Sequence, residues 1–419
     1  SRKKGEEVMK RMIWYEWKRI WQSRLTQFAV IGCILFLLFC TWSNIRQIQT
    51  TDSEGNQVTG MAAVKALKET ERITLDQETV TAIMQEYLDY TEKPATSSDD
   101  SKLVYLSEEM YRTWYLPRME LMNQIISVYF HKGQEYVDDR QLLEENLGRD
   151  FYEARKERVQ ERLTYYVNLG SVTPSEADWW DEQDDKVGEY TYGNYKVWEI
   201  LISNLPWVLF IMMVICVGIA PVFAGEYQSK CDSLLLCMKH GKHRLILAKL
   251  AASTVYASVL YWGIVSLYSA VLLIFVGKDG WDLPVQLIYS GMPSSYALTT
   301  SQAYLLALLA GYVVTLGLAG LVLFLSALFK NPYVVIVTAF LYLCVPLFLS
   351  TNSGGYLWVH LLALLPEKIS EFHFASYIAY SIGNIKMTLP TASMIVNGLC
   401  AVVFSGLAYF FFRRHQVNR

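Results

Sequence analysis
Charge is scarce in this chain. Lys, Arg, Asp and Glu make up 18% of its 419 residues, where a soluble domain carries about 25%. With 53% hydrophobic residues and a mean hydropathy of +0.19, this shortage of polar surface argues against a cytosolic enzyme and against disorder. Catalytic signatures are missing too. No G-x-x-x-x-G-K-[ST], HEXXH or CXXC occurs, so the chain has no P-loop of its own, no cofactor or metal motif, and reads as a non-enzyme. His240 and His243 have no third or fourth ligand nearby and read as basic surface. Residues 46–199 hold none of the seven cysteines, so a disulfide framework is ruled out there and packing alone must stabilise the segment.

Long apolar runs are what the chain has instead. Spanning the hydrocarbon layer takes about 20 apolar residues in a helix, and six stretches qualify: 25–44, 200–223, 245–276, 303–329, 333–350 and 391–412. The fifth is short, with Pro332 placed to start its helix and Pro346 to kink it. A further apolar stretch, 357–366, is too short to span and reads as an interfacial or re-entrant helix within an external segment, 351–390. The fold expected is therefore an all-α membrane protein, multi-pass in the plasma membrane.

The charges that remain are unevenly divided. Residues 46–199 carry 17 Lys and Arg against 31 Asp and Glu, and the rest of the chain 20 against 9. Of those 20 basic residues, 17 fall in segments 1–24, 224–244 and 413–419, at Lys249 and at Lys330. The positive-inside rule makes that side cytoplasmic. Both termini are then cytoplasmic, and residues 45–199 form an external domain. Lys249 lies near a cytoplasmic end, where its amine can snorkel. The runs contain no Asp or Glu, which argues against a proton-coupled carrier. Ser253, Thr254, Ser258, Tyr261, Ser266, Tyr268 and Ser269 in the third run line a pathway or serve helix packing, and the residues do not separate the two.

Upstream of the first run, Met9, Ile13, Trp17, Ile20 and Trp21 recur at helical spacing among basic residues, the pattern of an amphipathic helix lying in the headgroup layer. The external insert reads as mainly helical. Val80, Ile83, Met84, Tyr87 and Leu88 share one face, Pro117 is a break, 141–169 is the clearest helix, with Glu153/Glu157 and Arg158/Arg162 spaced for charge pairs, and Thr173 or Ser175 caps a further helix. Asp178, Asp181, Glu182, Asp184 and Asp185, beside Trp179 and Trp180, are suited to a cationic ligand. A charge run is a weak signal, and the reading adopted is a solvated acidic surface.

The most specific stretch is PVFAGEYQSKCDSLLLCMKHGKHRLILAKL, residues 221–250. Phe223, Glu226, the apolar Leu234, Leu235 and Leu236, then Lys242 and Lys249, follow one another at a spacing that resembles ABC-2-type transporter permeases. Lys230-Cys231 and Lys239 depart from the family's Gly-Thr pair and Pro. The resemblance covers the membrane frame, with its interfacial N-terminal helix, six spans and helical external hairpin at 356–386, and leaves the insert aside. It implies a permease subunit of an ABC exporter. Two copies of a separate ABC ATP-binding subunit would hold ATP and Mg, and a second permease copy or a paralogue would complete the pathway. A short amphipathic coupling helix at 232–238, flanked by Lys239, Lys242 and Arg244, would dock in the ATPase groove. Phe223, Glu226, Leu234, Leu235, Leu236, Lys239, Lys242 and Arg244 are then the ATPase-coupling residues, with no catalytic role and no nucleic-acid partner. The acidic insert suits capture or exclusion of a cationic antimicrobial peptide, as in peptide resistance. Sodium, lipid or drug export is the same-class alternative, and a membrane-anchored ligand sensor without transport is the alternative of another class.

Overall fold
The computed structural model describes residues 2–52, 54–91, 106–130, 138–230, 241–350 and 355–414. They are mostly helical, and the strands among them form three two-stranded antiparallel ribbons. Among the described residues, five helices are long and apolar enough to cross a membrane: Arg24–Gln47, Lys196–Gln228, His243–Phe275, Thr300–Leu328 and Leu389–Arg414. They fit a multi-pass membrane protein.

An N-terminal helix, α1 (Arg2–Gln22), turns at Ser23 into α2 (Arg24–Gln47), the first long apolar helix. The insert follows as β1 (Gln49–Thr51), β2 (Gln57–Thr59), α3 (Met61–Leu67), β3 (Ile73–Thr74), α4 (Gln77–Tyr90), α5 (Glu108–Met110), α6 (Leu116–Tyr129), α7 (Asp139–Glu145), α8 (Phe151–Asn168), α9 (Pro174–Asp184) and β4 (Thr191–Tyr192). Its helices start where side chains accept from otherwise unpaired backbone N–H groups. Asp76, Ser107, Asp138 and Asp150 each cap one, and Thr173 with Glu176 forms a full capping box. Three expected features differ. The helix foreseen over 141–169 is two helices, α7 and α8, separated by a turn in which Gly148 takes a positive φ of 83°. Pro117 does not end a helix: residues 108–129 stay helical throughout, with a π-helical turn at 111–115 just ahead of the proline. Glu157 pairs with Arg149 rather than within its own helix.

The second long helix is assembled from α10 (Lys196–Ser203), a 3-10 turn, α11 (Val208–Ile219) and α12 (Pro221–Gln228). Next come α13 (Ile246–Phe275) and α14 (Thr300–Leu328). The fifth expected run gives a shorter helix, α15 (Pro332–Cys344). Asn331 caps it, and a 3-10 turn ending at Phe348 carries Pro346, whose ring ends the α-helical ladder. The hairpin foreseen at 356–386 is helical only in its first half, as α16 (Gly355–Ala363) and α17 (Pro366–Ser370). Its second half is a β-ribbon, β5 (Ala379–Ile382) with β6 (Ile385–Thr388), turned by Gly383 at φ 61°. The last helix is α18 (Leu389–Arg414).

Helices α14 and α18 pack closely because glycine removes the side chain at the crossing. A Cβ on Gly317 would lie 2.8 Å from the Asn397 carbonyl oxygen, and one on Gly320 3.0 Å from that of Ala401. The insert is not a self-contained domain on a stalk. Its core, with Leu75, Met84, Met122 and Phe151, also takes in Leu283 and Leu287 from the segment after α13. Val159, Leu163 and Trp180 of α8 and α9 pack into the core that runs through the membrane helices.

Candidate functional site
At the ends of the helices opposite the insert, four charged side chains from three elements meet. Glu16 and Arg19 lie one turn apart on α1, Glu226 near the end of α12, and Lys249 in the first turn of α13. The Lys249 ammonium donates to Glu226 Oε1 at 2.8 Å, Glu16 Oε2 at 2.9 Å and the Val222 carbonyl at 3.2 Å. Arg19 donates to the same Glu226 oxygen. Lys249 is 1% exposed and Glu226 2%, so neither charge would be tolerable alone. Two cations against two anions make the cluster neutral, and each amine proton of Lys249 has an acceptor. The expectation that Lys249 snorkels is therefore corrected. It points inward, because a carboxylate stands on each of the two neighbouring elements.

The backbone around the cluster is shaped by Pro221, which interrupts the second long helix. The hydroxyl of Ser326, on α14, accepts from the N–H groups of Phe223 and Ala224 at 3.0 Å each and donates to the Ala220 carbonyl at 2.7 Å. One side chain thus bridges both sides of the break and fixes the angle at which α12 presents Glu226. Phe223 is fully buried, its ring 4.7 Å from that of Phe412 at the end of α18. Tyr227 donates to the Ala327 carbonyl. Along α1, Trp14 stacks on Trp17, which meets Trp21 edge-on, and Trp21 meets Tyr256 of α13 edge-on, so this helix is held by rings as well as by charges.

Of the expected coupling residues, the structure brings Phe223 and Glu226 into this region, with Arg244 half-buried just before α13. Leu234, Leu235, Leu236 and Lys239 lie outside the described residues, as does the whole 232–238 helix and the side chain of Lys242. His240 is likewise outside, while His243 Nδ1 lies 2.7 Å from the Tyr409 hydroxyl. Among the described residues no group of His, Cys, Asp and Glu has the arrangement of a metal site. Sequence reasoning missed Glu16. Its signal was an acid one turn before Arg19, between the tryptophans of a helix rich in basic residues.

On the insert side the acidic cluster is corrected in part. Asp178, Glu182 and Asp185 are exposed, but Asp184 is 3% exposed. Its two oxygens accept from Arg155 at 2.9 Å each, and Oδ1 also accepts from the Ser295 hydroxyl. Arg155 donates further to the Ser294 carbonyl. Burial opposes the Arg155 charge, yet Tyr190 and Asp184 around it hold the guanidinium above its ordinary pKa. Glu176 is buried as well and accepts from Tyr356 at 2.7 Å. His360, in the stretch 357–366 read as interfacial or re-entrant, is buried between the Tyr356 and Ala379 carbonyls. The insert is thereby bonded to both neighbouring segments, 277–299 and 355–388. Comparison of the chain with family models, with curated proteins and with solved structures finds no match.

Proposed function
We propose that this chain is the membrane-spanning permease subunit of an ABC exporter, with its termini cytoplasmic and residues 45–199 external. The observation that carries the reading is the neutral cluster of Lys249, Glu226, Glu16 and Arg19. It ties together the two elements that flank segment 229–245 and fastens both to α1. A force applied to that segment by a partner would reach two membrane helices and the interfacial helix at once. In this reading the apolar leucines at 234–236, with Lys239, Lys242 and Arg244, meet a separate ATPase that binds ATP and Mg. Two such subunits and a second permease copy or paralogue complete the assembly.

A sixth crossing by α15 and its 3-10 turn supports the same topology. The end of α14 lies beside Tyr227 on the terminal side. The ribbon that precedes α18 lies beside the insert, where Lys386 donates to the Ser175 carbonyl. In this reading the chain between them changes sides. The excess of acid in the insert favours a cationic peptide as the molecule exported or excluded.

The test is purification of the chain from its native membrane with its partners, followed by an ATPase assay. A stoichiometric P-loop subunit is expected. Its vanadate-sensitive activity should lose its coupling to transport in Glu226→Ala and Leu235→Asp while both variants stay in the membrane. A chain that purifies without an ATPase would overturn the reading in favour of a ligand sensor, and transport at the wild-type rate by both variants would remove these residues from the coupling path.

A further inference from the structure
Where the insert meets the membrane helices, a cavity of about 120 Å³ opens between the β1–β2 ribbon, the start of α6 and the start of α10. Its depth relative to the membrane follows from the chain. Gln49 and Thr50 come directly after α2 ends at Gln47, and Lys196 is the first residue of the second long apolar helix. The cavity therefore lies at the boundary between hydrocarbon and water on the insert side, at headgroup level. It is a polar site in an apolar neighbourhood, lined by Gln49, Thr50, Asn194 and Tyr192 together with the opposite charges Glu120 and Lys196.

Glu120 is the unusual member. It is half-buried, and among the described residues its carboxylate receives no hydrogen bond and no ion pair. Burial raises its pKa, an effect that Lys196 opposes and Glu199 reinforces. Lys196 has a partner in Glu199 at 2.8 Å, and its ammonium keeps further N–H donors for an anion. A half-buried carboxylate without a donor, set near a lysine, matches a zwitterion of the complementary order: ammonium towards Glu120 and anion towards Lys196. A second, apolar cleft lies deeper against the same two membrane helices, with Leu37, Leu201 and Leu205 in its wall.

We propose that this cavity binds the headgroup of a zwitterionic phospholipid bearing a primary amine, phosphatidylethanolamine, with its ammonium on Glu120 and its phosphate on Lys196. A primary ammonium supplies the N–H donors that Glu120, Thr50 and Asn194 can accept. A quaternary one supplies none and would leave the carboxylate desolvated and unbonded. The assignment is independent of transport and of which side of the membrane the insert occupies.

The experiment is native mass spectrometry of the full chain, purified in detergent and titrated with phosphatidylethanolamine or phosphatidylcholine of identical acyl chains. Retention of phosphatidylethanolamine should exceed that of phosphatidylcholine by about tenfold or more, and Glu120→Gln should erase that preference. Lys196→Ala should weaken both lipids. Thr50→Trp, which fills the cavity and leaves both charges, should block binding as well, so the result does not rest on a single variant's folding. Equal retention of the two lipids, or an unchanged preference in Glu120→Gln, would overturn the proposal. Saturable binding of soluble O-phosphoethanolamine, with no preference between the lipids, would overturn the lipid assignment and reassign the cavity to a free zwitterion.

Discussion
Two buried ionic clusters among the described residues, one at each end of the membrane helices, are built on opposite plans. On the insert side, Arg155 and Asp184 form a closed pair. Both carboxylate oxygens and two guanidinium nitrogens are engaged, with Ser294 and Ser295 taking up further valences. Such a bidentate pair has one good geometry, so it locks α8, α9 and the segment after α13 together. On the terminal side the charges form an open chain across α1, α12 and α13, and its outermost member, Arg19, has 54% of its side chain exposed. Lys249 can exchange one carboxylate for another as the helices shift, because its amine is not tied to a single plane. The first arrangement holds segments still. The second joins three helices without fixing a single plane.

The largest effect that would break this contrast is expected at the lock. Asp184→Ala leaves a buried guanidinium uncompensated and should cost about 3–5 kcal/mol, read as a large fall in the unfolding temperature of the detergent-solubilised chain. A variant that unfolds with the wild type would mean that the pair does not hold the insert. At the joint, Lys249→Met leaves Glu226 with Arg19 alone and should cost about 2 kcal/mol. Adding Glu226→Gln should recover part of that loss, since the second change removes the carboxylate left behind. Strict additivity of the two substitutions would show that the residues act independently.

A third measurement uses pH to separate the lock from its surroundings. Glu367 of α17 is fully buried beside Lys368 at 3.3 Å, and burial, reinforced by Glu371, raises its carboxyl from the ordinary 4.5 to about 7. Because the fold favours the neutral form, its packing is most stable below about pH 4.5, and stability falls as the pH rises through 7. Thermal unfolding across this range should show the loss in the wild type and a flatter profile in Glu367→Gln. An identical slope in both would assign the pH dependence to other groups. The smallest effect is expected for Arg19→Ala, under about 1 kcal/mol, because a half-exposed cation is already screened by water. A cost matching that of Lys249→Met would mean that the chain of charges is closed after all.

The apolar helices and the insert's caps were legible because their signals are local. A run of about 20 apolar residues has few alternatives, and Thr173 with Glu176 is a cap readable three residues apart. The ribbon at 379–388 was harder, since its alternation is short and follows two apolar helical turns. Of the four charged residues in the candidate site, Glu226 and Lys249 stood out beforehand through the resemblance of 221–250 to a permease segment. Glu16 was missed because its partner, Lys249, is 233 residues away. Asp184 was misjudged because four neighbouring acids made it look like surface. Burial is a property of what packs against a residue, and Ser295 arrives from 111 residues further on.

Taken alone, the sequence determined the class of molecule: apolar runs too long to hide in a soluble core, basic residues in excess outside the insert, and an acidic insert without cysteine. These are consequences of solvation, which acts on each segment separately. Tertiary structure alone decided which charges are buried, which pair closes into a lock, which four form a joint, and that the insert shares its core with the segments beside it. Those outcomes depend on approach between residues far apart in the chain. The burial of a charge becomes tolerable only when its counter-charge and hydrogen-bond partners arrive together.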